Sequence, residues 1–108
     1  MLETSALDTA VNACADRLRR LPESRLRDGT AVAALALARE LADRAQRLES
    51  PGHEPRTLPD AGYFAVGDQV AVAGHDLAHA LRHHGTRAEL TAAVELVTAS
   101  APGAGAGR

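Results

Sequence analysis

Apolar side chains fall at Leu7, Val11, Cys14, Leu18 and Leu21, a 4-3-4-3 spacing that only a helix gathers onto one face. Nothing in the 108 residues constrains the fold more than this, because the same period returns in each later segment that lacks proline. The first helix is predicted over 3–21, and Pro22 ends it. A second helix is predicted over 24–49, with Ser24 and Asp28 as candidate N-caps and Gly29 weakening its first turn. Within it Leu37, Leu41, Ala45 and Leu48 share one face, and Arg39, Asp43, Arg44 and Arg47 the other. The run Thr30–Ala38 is apolar all round, which predicts a place in the middle of a bundle. A third helix is predicted over 60–84, opened by Asp60 and stopped by Gly85, with Tyr63, Val66, Val70, Ala73, Leu77 and Leu81 toward the core. The pair Thr86 and Glu89 has capping-box spacing and opens a fourth helix over 86–100.

Between the second and third helices, "SPGHEPRTLPDAG" carries three prolines and two glycines. It is too long for a tight helix–helix loop, and is expected to cross an end of the bundle or to be mobile. Alanine makes up 24 residues, and the chain has one Phe, one Tyr and no Trp, so its helices must gain stability by close approach through small side chains. The expected architecture is an all-α antiparallel four-helix bundle over 1–100, followed by a flexible tail over 101–108.

Charge and cysteine content narrow the function classes. All twelve basic residues are Arg, a mark of GC-rich coding, and the net charge is −2. Arg17, Arg19, Arg20, Arg25 and Arg27 form a basic patch against one acid, Glu23. Without interleaved aromatics or a helix-turn-helix pattern, the patch does not predict nucleic-acid binding. The single Cys14 lies on the first seam as a small buried hydrophobe and fits a reducing compartment. No window approaches eighteen apolar residues, so no membrane span is expected and the setting is read as cytoplasmic.

The chemistry-bearing stretch is "GHDLAHALRHHG", in which His75, His79 and His83 repeat every four residues. On a helical wheel they fall opposite the core stripe, with Asp76 nearby, a solvated polar face in the simplest reading. His75 and His79, with Asp76 or His83, could share a divalent metal such as zinc. "HDLAH" resembles the His-Asp doublet of HD-domain phosphohydrolases, matched by His75 and Asp76. That family also uses an earlier His and a later Asp, whereas His53 sits in a loop and no Asp follows Asp76. "AGHDL" is similar to the start of the histidine phosphotransfer motif, with His75 as the phosphorylated residue. The Lys and Gly of that motif are replaced by Ala78 and His79. The paired helical histidines also resemble those of DinB-like metal-binding bundles, which draw a further His from another helix. None of these resemblances reaches ten residues, and none is adopted.

The sequence therefore predicts a non-enzymatic module for protein–protein interaction or self-association, as a homodimer or with a partner helix and without a cofactor. The alternative is a metal-binding or catalytic bundle using His75, Asp76, His79 and His83.

Overall fold

A computed structural model describes residues 1–100, and the tail expected at 101–108 lies outside the described residues. Four long helices form: α1 (Ser5–Arg20), α2 (Ala31–Glu49), α3 (Val66–His84) and α4 (Arg87–Ala99). They pack into the all-helical four-helix bundle that the apolar periods require.

Helix α1 buries Leu7, Val11, Cys14, Ala15 and Leu18, the predicted seam. It stops where Pro22 forces the preceding Leu21 into extended backbone (φ −74°, ψ 138°). The helix predicted over 24–49 is divided. A short helical turn, Glu23–Arg25, is followed by a kink in which Gly29 takes φ 107°. That conformation is costly for any residue with a Cβ, so glycine is the residue that permits the break. Helix α2 then starts at Ala31, whose N–H donates to Leu26 O. Ser24 and Asp28 do not cap it; the chain arrives already coiled, with Thr30 in helical conformation and no side-chain cap.

Helix α3 begins six residues later than the predicted start at 60, at Val66, after a single 3₁₀ turn over Tyr63–Ala65. Asp60 does not cap it: its Oδ1 accepts the Gly62 N–H (2.9 Å) and closes a local turn. Tyr63 consequently lies off the helical phase and is 40% exposed, not in the core stripe, while Val66, Val70, Ala73, Leu77 and Leu81 are buried as read. Gly85 follows α3 in extended backbone, and its N–H donates to Leu81 O (2.8 Å). The capping box of α4 is present in full. The Glu89 N–H donates to Thr86 Oγ1 (3.1 Å), and the Thr86 N–H donates to Glu89 Oε1 (2.8 Å).

Helix α3 is central, packed against α1 on one side and α2 on the other. It runs antiparallel to α1: Arg19 meets Asp68, Asn12 meets His75, and Thr4 meets Arg82. The two helices come close at Gly74, where an added Cβ would lie 2.5 Å from both Val11 methyl carbons. Against α2 the direction is parallel. Ala31 and Leu35 line one groove with Val66, and Arg44 and Leu48 line another with Leu77 and Leu81. Helix α4 returns alongside α1, its C-terminal Ser100 beside Cys14 and Leu18. The order is up-down-down-up, so α2 and α3 depart from an all-antiparallel arrangement.

That parallel pair explains the long connection. Helix α2 has 19 residues and rises about 28 Å, and the chain must travel back over that length before α3 can start beside it. An extended segment from Ser50 to Gly62 can span up to roughly 43 Å. It runs down the side of the bundle, not across an end, and its second half is tied to α2 and α3. Gln46 holds Arg56 twice, donating to its O (3.0 Å) and accepting from its N–H (2.8 Å). Arg39 Nε donates to Leu58 O (2.8 Å), and Gln69 Nε2 donates to Pro59 O (2.9 Å). Leu58 packs onto the core beneath this strap.

Strap and kink together leave part of the Thr30–Ala38 run uncovered. Ala31, Ala34, Leu35, Leu37 and Ala38 are buried, but Ala33 and Ala36 are exposed and Val32 is 73% exposed. The predicted all-round burial fails on that side, where no further element among the described residues packs on α2.

Candidate functional site

The helical period of α3 sets its histidines on the flank turned toward α1 and solvent. His75 sits one position beyond the close contact at Gly74, so its ring lies across the surface of α1. Its Nδ1 is 2.8 Å from Asp8 Oδ1 and its Nε2 is 2.8 Å from Asn12 Oδ1. A doubly protonated ring satisfies this pair of oxygens by donating to both; a neutral ring does so once the Asn12 amide turns to present its NH₂. Arg82, two turns further on, donates from Nη2 to Thr4 Oγ1 (2.9 Å) and lies 3.9 Å from Asp8 Oδ2. Beside it Glu3 accepts the Ser5 N–H (2.8 Å) at the start of α1. That bond, aided by Arg82, holds the Glu3 carboxyl below the usual carboxylate range. His75 is thus a tie between helices.

His79 and His83 are exposed and pack on each other, ring centroids 4.7 Å apart and planes inclined by 60°. His84 stands 6.3 Å from His83, centroid to centroid. Asp76 is exposed on the opposite flank, lining a shallow groove with Ala42, Leu58 and Val72 toward α2. The predicted quartet is therefore divided: His75 serves α1, Asp76 faces the strap side, and His79 with His83 remain a pair. Among the described residues, no group of three His, Cys, Asp or Glu side chains is placed to hold a metal ion.

The basic patch is divided as well. Arg19 donates from Nε (3.0 Å) and Nη2 (2.7 Å) to Asp68 Oδ1, and from Nη1 to Asp16 (3.2 Å), so it joins α1 to α3. The hydrogen bond to Asp68 pushes the Arg19 pKa up from its ordinary value. Arg27 pairs with Glu23 one turn before it. Arg17, Arg20 and Arg25 are exposed. Cys14 is buried among Leu18 and Leu37, and burial pushes its thiol pKa up against a smaller opposing pull from Arg17.

Sequence reasoning missed the face that the strap creates. Between the strap and the first half of α2 lies an open groove of about 620 Å³, floored by Ala31, Leu35 and Val66 and edged by Val32 and Tyr63. Its charged rim holds both signs: Arg39 and Arg56, with Glu40, Asp43 and Asp60. Phe64, next to Tyr63, is 72% exposed, and Val72, in the groove on the other side of the strap, is 63% exposed. The available signal was the apolar side of Thr30–Ala38 left over once a single neighbouring helix is packed on α2.

No family model matches the chain, and no curated protein and no solved structure matches it. Among the described residues, no helix is long and apolar enough to cross a membrane.

Proposed function

We propose that the chain is a non-enzymatic, cytoplasmic helical module that pairs with a second copy of itself through the strap face of α2. One observation carries this reading: Val32, 73% exposed, and Tyr63, 40% exposed, edge one apolar-floored groove, and Phe64, the residue after Tyr63, is 72% exposed. Isolated exposed apolar residues are ordinary; several around one groove with a polar rim are the pattern of an association surface. The second copy follows from the rim. A two-fold interface must complement itself, so where its rim is charged both signs share one patch. Arg39 and Arg56 beside Glu40, Asp43 and Asp60 meet that condition, whereas a surface built for a strongly charged partner carries one sign. The net charge of −2 adds little repulsion between copies.

Sedimentation velocity at tens of micromolar tests it. The expected outcome is a dimer for the wild type, and a monomer with an unchanged helical circular dichroism spectrum for the double variant Val32→Asp, Phe64→Ser. A wild type that remains monomeric, or a double variant that still dimerises, refutes the proposal.

A further inference from the structure

We infer that His79 and His83, on the last turns of α3, form a two-point chelate for a divalent transition ion of the zinc–copper class. The two residues are four apart on a regular helix, so the backbone fixes their spacing before any ion arrives. Their ring centroids are 4.7 Å apart. An ion about 2.0–2.1 Å from one nitrogen of each ring, with an angle of about 90–109° between them, places the centroids roughly 4.5–5.2 Å apart. The free pair already has the centroid separation of a shared ligand set, and both rings are exposed and free to change rotamer.

The neighbouring groups single out this pair. Both nitrogens of His75 are taken by Asp8 and Asn12, so binding at a His75–His79 pair would cost the link to α1. His79 and His83 have no hydrogen bond or ion pair to another described side chain, and ligation by them breaks nothing. The one cation on the same turn, Arg82, points its guanidinium at Thr4 and toward Asp8. The C-terminal end of α3, where carbonyls lack helical partners, favours positive charge. Imidazole suits zinc, copper and nickel and suits calcium or magnesium poorly. With two protein ligands, water fills the other positions, so the ion is exchangeable and open to a third ligand from solution.

The test is calorimetric titration of zinc chloride into the full chain without a histidine tag, with thermal unfolding in parallel. The variants are His79→Gln, His83→Gln, His75→Gln and His84→Gln, all at exposed positions. The expected result is one zinc ion per chain and a melting midpoint that climbs with zinc concentration. Loss of either His79 or His83 should weaken binding by roughly tenfold or more, because a chelate falls to a single imidazole. His75→Gln and His84→Gln should leave the affinity little changed. Absence of zinc binding, unchanged affinity in His79→Gln or His83→Gln, or an equal loss in either control variant overturns the assignment.

Discussion

Gly74→Ala isolates the contact on which the α1–α3 pairing depends. In an unconstrained helix this substitution stabilises by about 1 kcal/mol, since alanine loses less backbone freedom than glycine. Here the new methyl would lie 2.5 Å from Val11 Cγ1 and Cγ2 and 3.0 Å from Val11 Cβ. Carbon atoms pack at about 3.5–4.0 Å, so the helices must separate by roughly 1 Å or Val11 must leave its place. Val11 is fully buried, which closes the second route. Overpacking of this kind costs about 1–3 kcal/mol, and the large displacement points to the upper part of that range. Set against the propensity gain, the net destabilisation is about 1–2 kcal/mol. Val11→Ala alone removes two buried methyl groups, worth about 1.6 kcal/mol of transfer free energy, and the cavity raises the loss to about 2–3 kcal/mol. In the double variant the methyl introduced at position 74 enters the space that Val11 vacated. The loss in the double variant should therefore fall short of the sum of the two single losses by at least about 1 kcal/mol. Urea unfolding followed by far-ultraviolet circular dichroism gives all three values. A Gly74→Ala protein as stable as the wild type, or a double variant whose loss is simply additive, refutes the close approach of α1 and α3 at this point.

Two further outcomes follow from local chemistry. Thr86→Ala removes the acceptor for the Glu89 N–H and should cost about 1 kcal/mol; an unchanged urea midpoint refutes a stabilising role for the box. Burial raises the Cys14 pKa in the folded chain above its unfolded value of about 8.5, so the unfolded thiol ionises first. The stability that Cys14 contributes is fully present below that pH and is lost as pH rises through the folded pKa. The wild type should lose stability in alkali more steeply than Cys14→Ala, and parallel pH profiles would refute this.

The sequence makes some levels of this structure legible and is silent on others, for identifiable reasons. Periodicity reports which face of a helix leaves water, and Leu7 to Leu18 on α1 and Val66 to Leu81 on α3 are buried as their spacing requires. The capping box is equally local, two side chains on one turn, and it is present. Periodicity does not report which neighbour covers a face, or in which direction that neighbour runs. The relevant sign was the length of the Ser50–Gly62 connection. Its prolines cannot donate backbone hydrogen bonds, but its carbonyls can accept them, and Gln46, Arg39 and Gln69 supply the donors. Those three residues look like ordinary surface positions until the strap is in place.

The same limit governs the histidines. A helical wheel divides α3 into a core side and a water side, which suits a helix at the edge of a bundle. Helix α3 is the central helix, with α1 on one flank and α2 on the other, so side chains off the core stripe meet different surroundings. His75 lands on the polar surface of α1 and finds Asp8 and Asn12. Asp76, the next residue, turns by about 100° and lines the groove toward α2 and the strap. A wheel groups these two as one candidate site because it counts angle and omits neighbours. Of the four, only His79 and His83 keep both the shared face and, among the described residues, the freedom from other partners that a ligand pair needs, and they do so because α1 has nearly reached its first residue where α3 ends.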